Sequence, residues 1–209
     1  MALTVSLLFF VFAHAQTFEV DGIKYSVLSS TDKTVEVKSK TEKYSGDIVI
    51  PSAVVYNDVE YGVTSIGSQT FQYCSGLTSV AIPNSVTSIG ENAFYGCSGL
   101  TSVAIGNSVT SIGGQAFYGC SGLTSVIIGN SVTSIGYQAF YNCSGLTSVI
   151  IGNSVTSIYK QAFFGCSGLK EVHISDIAAW CNITFANESA NPIYKAKHLF
   201  LGDEEIKDL

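Results

Sequence analysis

One property dominates the sequence: a period of 23 residues, kept through five consecutive units that begin at Val63, Val86, Val109, Val132 and Val155. Each unit returns the same residue types at the same places. Ile66, Ile89, Ile112, Ile135 and Ile158 form one column, and Phe71, Phe94, Phe117, Phe140 and Phe163 form a second. Cys74, Cys97, Cys120, Cys143 and Cys166 form a third, and Leu77, Leu100, Leu123, Leu146 and Leu169 a fourth. Val80 to Val172 and Ile82 to Ile174 recur in the same way. A fixed period of this length points to a solenoid, in which each unit is one coil that stacks on its neighbours.

Local patterning says what one coil contains. Leu100 to Ile105 ends in a period-two alternation, so it reads as a short strand with Val103 and Ile105 on one face. Gly106-Asn107-Ser108 is a turn, and Val109 to Ile112 is a second short extended piece. Within Gln115 to Cys120, Phe117 and Cys120 stand three apart, which suits one helical turn with both side chains on one side. A lone coil would leave its strand edges unpaired and its apolar columns half in water. Stacking removes both faults, because each strand pairs with the next coil at about 4.8 Å. The ends of such a stack need caps.

The flanks read as those caps. In residues 16–62, Phe18 to Tyr25 is a hairpin around Asp21-Gly22, and Ile48-Val49-Ile50-Pro51 repeats Val80-Ala81-Ile82-Pro83 as a degenerate first strand. A further hairpin around Asn57-Asp58 precedes the first full unit. Residues 63–174 hold the five units. Residues 175–209 break the period, contain the only tryptophan, Trp180, and read as an atypical repeat or a truncated continuation. Residues 1–15 read as a signal peptide. Leu3 to Phe12 is an apolar run too short to span a bilayer, and Ala13-His14-Ala15 has the small-x-small form of a cleavage site. No Lys or Arg precedes that run, so the competing readings are a buried N-terminal strand or a start codon placed slightly downstream of the real one. No transmembrane segment is expected in the mature chain.

Charge narrows the function further. The chain has ten Lys, no Arg and sixteen acidic residues, for a net charge of −6. This balance argues against nucleic acid as a partner, since phosphate binding calls for clustered basic side chains.

The unit Cys97-x-x-Leu100-x-x-Val103-x-Ile105-Gly106-x-x-Val109-x-x-Ile112-x-x-x-Ala116-Phe117 resembles the BspA-like leucine-rich repeat of bacterial surface proteins. The N-terminal Phe18-x-Val20-Asp21-Gly22-Ile23-x-Tyr25 and the segment Ile177 to Ile183 resemble that family's flanking segments. The resemblance implies a leucine-rich-repeat solenoid with one parallel strand and a short helical turn per repeat, behind a β-hairpin cap. It implies a secreted or cell-surface protein that binds an extracellular or host protein or serves in adhesion. Members of that family often run into another repeat where this chain reaches Leu209, so the chain also reads as a fragment.

Three columns are candidates for function. The outward strand positions Ala81, Ala104, Ile127 and Ile150, ending at Glu171 and His173, form a mostly apolar row that could take a protein partner. Tyr95, Tyr118 and Tyr141, followed by Phe164, are either a platform for glycan rings or packing between coils. The five-cysteine column places one thiol per coil, whereas a metal site needs ligands converging on a point. Disulfides suit a secreted chain, but in-register side chains stay too far apart at Cβ for easy bridging, so buried, reduced thiols are expected. No catalytic residues, metal site or cofactor are expected, because the repeats hold no Ser-His-Asp set, phosphate loop or carboxylate pair. A structural spacer without a specific ligand and a glycan-binding module remain alternatives to protein binding.

Overall fold

The computed structural model describes residues 16–207, and the expected signal segment, residues 1–15, lies outside them. The N-terminal cap is a meander. Thr17–Val20 pairs antiparallel with Ile23–Ser29, which pairs antiparallel with Thr34–Lys38. Asp21 and Gly22 turn the first hairpin with φ of 49° and 77°, and Asn57 and Asp58 turn the inserted one with φ of 50° and 59°. Two successive positive φ values match the twist of the flanking strands, which is why Asp, Asn and Gly stand there.

Thr34–Lys38 then pairs in parallel with Val59–Ile66, and this joins the cap to the repeats. The short strands Ser88–Ile89, Ser111–Ile112, Ser134–Ile135 and Ser157–Ile158 continue the same sheet in parallel, at one strand per coil. The longer strands form the opposite face. Gly46–Val49, Leu77–Ala81 and Ser102–Ala104 make one parallel group. Ser125–Ile128, Ser148–Ile151, Glu171–Ile174 and His198–Leu201 make a second, closed by the antiparallel Glu204–Glu205. The Phe, Cys, Leu, Val and Ile columns fill the space between, and the column phenylalanines are fully buried.

Beyond the fifth unit the chain makes one more coil. Thr184–Phe185 pairs with Ser157–Ile158, and His198–Leu201 pairs with Glu171–Ile174. A helix at Ile177–Cys181, capped by Asp176 accepting from the Ala179 amide at 3.0 Å, takes up the extra length and buries Trp180.

The segment expected as a helical turn is a run of tight turns. In the third unit Ala116 N donates to Gly113 O, Tyr118 N to Gln115 O and Cys120 N to Phe117 O. The residues between face the other way: Gln115, Phe117 and Gly119 donate to Tyr137, Ala139 and Tyr141 of the next coil, at 2.7 Å each. Gln115 and Gly119 have φ of 55° and 69°, and such left-handed residues four apart cannot belong to a right-handed helix. Helix spacing and this turn both bring residues three apart to one side, so the sequence pattern does not separate them.

Close stacking explains one glycine column. A Cβ on Gly99, Gly122, Gly145 or Gly168 would sit 2.2–2.7 Å from a carbonyl oxygen of Ser75, Ser98, Ser121 or Ser144 in the preceding coil. Backbone cannot retreat without opening the ladder. Gly122→Ala is expected to lower stability by about 1–3 kcal/mol, as overpacking does. Urea denaturation checks this, and an unchanged midpoint would mean the coils are free to slide apart.

The cysteine thiols of the column are free and buried. Cys97, Cys120, Cys143 and Cys166 each donate through sulfur to the carbonyl of Phe71, Phe94, Phe117 and Phe140, at 2.9–3.1 Å. The thiol is thus a small hydrophobe that also satisfies a buried carbonyl of the coil before it. Cys181, in the sixth coil, is exposed. Alkylation of the native protein is therefore expected to add one group, and alkylation after denaturation without reductant to add six, as read by mass spectrometry. Fewer than six adducts would reveal disulfides.

Candidate binding surfaces

The strand face carries the first candidate. Parallel pairing in register places Ala81 beside Ala104, and Ile127 beside Ile150 beside His173. Ile127 and Ile150 are 60% and 41% exposed, large values for isoleucines held on a sheet. The row is longer than the sequence pattern suggested. Val49 pairs with Ala81 and is 73% exposed, and Phe200 pairs with His173. Val49 was visible in the match of Ile48-Val49-Ile50 to Val80-Ala81-Ile82. Phe200 carried no such signal, because the sixth coil is off the period.

The row is interrupted at its middle. No pairing joins Ser102–Ala104 to Ser125–Ile128, and the Thr124 N to Thr101 O contact stretches to 3.5 Å where the next coil's is 2.8 Å. Ala104 and Ile127 flank this parting. The ends of the face are polar. At the N-terminal end, hydroxyls of Ser79 and Thr78 donate to Asp47 at 2.6 and 2.7 Å and hold its carboxyl below the usual range. At the C-terminal end His173 stacks on Phe200 with centroids 4.8 Å apart, and its Nε2 lies 3.3 Å from Glu171. His198 contacts Glu205 there, beside a hollow of about 390 Å³ lined by Lys170, Glu171, Ala196, His198, Phe200 and Glu205.

The tyrosine column is the second candidate. Tyr95, Tyr118, Tyr141 and Phe164 stack on the turn face with centroids 4.6, 4.8 and 5.1 Å apart. The first two pairs are parallel to within 3°. Each inner ring therefore spends both faces on its neighbours, and edges and hydroxyls are what reach the solvent. A sugar stacks on an aromatic face, so the side of this column offers it little. Tyr73 meets Tyr95 edge-on at 5.3 Å, and Phe164 is 40% exposed at the other end.

The remaining polar columns serve the stack itself. Thr87, Thr110, Thr133 and Thr156 donate through Oγ1 to the threonine carbonyl one coil earlier, at 3.1–3.2 Å. Gln115 donates to Gln138 at 2.8 Å and Gln138 to Gln161 at 2.9 Å, a side-chain ladder that the sequence pattern did not single out. Among the described residues, no helix is long and apolar enough to cross a membrane.

Comparison with known proteins agrees with this geometry. The pattern of the BspA type leucine-rich repeat region matches in six copies over residues 64–191. The comparison with curated proteins yields no match. A leucine-rich cell-surface protein from Faecalibacterium prausnitzii superimposes with a TM-score of 0.67 at 35% identity, covering 81% of this chain and 44% of that one. A leucine-rich repeat protein from Bacteroides ovatus is similar with a TM-score of 0.57 at 31% identity, covering 82% and 54%. The leucine-rich repeat protein of T. pallidum shares the fold with a TM-score of 0.67 at 24% identity, over 81% of both chains. The chain thus spans about half of the first two relatives. Six coils, the matching pattern and these relatives lead to one assignment: the chain belongs to the BspA-type leucine-rich repeat family.

Proposed function

We propose that this chain is a non-catalytic module, secreted or displayed at the cell surface, that binds a protein partner through its strand face. The observation that carries the reading is the outward row Val49, Ala81, Ala104, Ile127 and Ile150, with its two exposed isoleucines held side by side on a parallel sheet. An apolar row on a rigid support favours an equally apolar, preformed surface. The partner is a protein with an exposed aliphatic patch. A charged polymer would find Asp47 at one end of the row and Lys170, Glu171, Glu205 and the two histidines at the other, with signs mixed. Surface location is supported by the F. prausnitzii relative, which is described as a cell-surface protein.

The test presents residues 16–209 to immobilised extracellular matrix proteins and, separately, to a glycan array. A captured matrix protein should lose at least tenfold in affinity when Ile127→Ser and Ile150→Ser are combined. Each buried isoleucine is worth about 1.5–3 kcal/mol, so tenfold is a modest demand. Both side chains point outward, and circular dichroism of the double variant should match the parent. Binding should also vary little with salt, because few charges are neutralised. Equal binding by the double variant would move the site off this face. Failure to retain any protein or glycan would favour a surface spacer.

A further inference from the structure

The tyrosine column ends in an open slot, and the sixth coil is the reason. The register of Ser157 with Thr184 and Ile158 with Phe185 carries the count forward. Counted forward from that register, Ala190 corresponds to Phe163 and Asn191 to Phe164, although residues Glu188–Ala190 form a 3-10 helix and the Gln161 amide meets the Asn187 side chain in place of a backbone carbonyl. The sixth coil thus lacks both aromatic rings. Ala190 is buried and closes the inner column. Nothing of comparable size follows Phe164 in the outer one. Every ring before it lies under a successor within 5.3 Å, while Phe164 remains 40% exposed.

A hollow of about 340 Å³ occupies that place, lined by Phe164, Asn187, Glu188, Ser189 and Tyr194. Tyr194 is 54% exposed. The Lys195 ammonium lies over the Phe164 ring, 6.0 Å from its centre, and over that of Tyr194 at 5.5 Å, so a ligand stacked on Phe164 turns this exposed lysine side chain aside. Asn187 is held in position, since its Oδ1 accepts from the Gln161 amide and the Ser189 hydroxyl at 3.3 Å each. The slot is therefore lined by two aromatic side chains together with amide, hydroxyl and carboxylate groups, and an ammonium reaches over it.

We propose that this slot binds a single pyranose ring of a glycan, which takes the place of the missing next ring in the outer column. A pyranose has an apolar C–H face that stacks on an aromatic ring and a circumference of hydroxyls that need donors and acceptors. A purely aromatic ligand would leave the rim unpaired, and such unpaired polar groups are costly. Glu188 lines the slot and Lys195 reaches over it with the opposite charge, so the fitting sugar is neutral. The volume lies at the small end of ligand pockets, which suits one or two sugar units. The tyrosine column then contributes by position: it holds Phe164 rigidly in a stack, which lowers the ordering cost of binding. This site is separate from the strand face and does not depend on it.

The probes are methyl glycosides of glucose, galactose, mannose, N-acetylglucosamine and N-acetylgalactosamine, read by saturation-transfer NMR and calorimetry on the mature chain. At least one should bind. Its affinity should fall at least tenfold in Phe164→Ala and in Tyr194→Ala, and several-fold in Glu188→Gln. Phe164→Tyr, which restores the residue of the earlier coils, should retain binding. The Ile127→Ser, Ile150→Ser double variant should also retain it, which keeps this test distinct from that of the strand face. If Phe164→Ala fails to fold, the exposed Tyr194→Ala carries the test alone. No binding by any of the five glycosides, or binding that survives both aromatic replacements unchanged, overturns the proposal.

Discussion

Replacing Phe117 by alanine is expected to destabilise the protein by about 3–5 kcal/mol, the range for removing a buried aromatic side chain. Phe117 is fully buried and stacks on both sides, at 4.9 Å on Phe94 and 5.1 Å on Phe140. The lost volume lies midway along the column, where the coils above and below are fixed by Phe117 N to Ala139 O and Phe94 N to Ala116 O, at 2.7 Å each. The cavity cannot close without breaking that ladder. For a chain of this size the melting temperature should fall by roughly ten degrees. Phe117→Leu separates burial from stacking: it keeps most of the apolar area and gives up two ring pairs, worth about 0.5–1.5 kcal/mol each. Urea denaturation followed by circular dichroism measures both. A loss below about 1 kcal/mol in Phe117→Ala would mean that the columns fill space without supporting the stack.

The second large effect is alkaline unfolding driven by the cysteine column. Burial pushes the Cys166 thiol up to about 12 and holds those of Cys120 and Cys143 well above their ordinary value of 9.0. In the unfolded chain these thiols ionise near that ordinary value. Between the two values the folded state holds more protons than the unfolded one, so stability falls as pH rises. Cys97 and Cys120 share one hydrogen bond that lowers the first as it raises the second, so their effects oppose each other. One pH unit above the unfolded value removes about 1.4 kcal/mol per raised thiol, so Cys143 and Cys166 together remove on the order of 3 kcal/mol by pH 10. Below pH 8 they should have no effect. Burial also raises Tyr44, to about 12, and Tyr25 further, which steepens the loss at higher pH. Denaturation midpoints from pH 7 to 10.5 measure the slope. Cys143→Ala with Cys166→Ala should flatten it while lowering stability at pH 7. A slope unchanged by that pair would place its origin elsewhere.

The coil plan was readable because it is local. Val103 and Val126 alternate with polar neighbours, and Ile112 and Phe117 return every 23 residues, so burial could be assigned column by column. The outward direction of Ile127 and Ile150 followed from the same alternation. The turn face was harder. Phe117 and Cys120 stand three apart in a helix and in consecutive tight turns alike, and only the left-handed Gln115 and Gly119 separate the two. Gln115 gives no warning, since glutamine is not a residue that usually marks such a turn. The conformation is held by its amide bond to Tyr137 O and its side-chain bond to Gln138.

By itself the sequence determined the repeat length, the inward columns, the two cap hairpins and the family pattern. Each of these follows from period, alternation or turn chemistry within one stretch of chain. Tertiary structure alone decided what depends on which coil lies beside which. Val49 and Phe200 extend the apolar row because their strands pair with Ala81 and His173. The ladder parts between Ala104 and Ile127 although the repeat continues unbroken through them. The tyrosines lose their faces to one another because stacking sets them within 5 Å. Phe164 keeps one partly open because the longer sixth coil stacks no ring on it and leaves a hollow there, with Tyr194 among its lining. A periodic chain states what each coil is made of, but contact across coils depends on register, and register is settled only when all the edges pair at once.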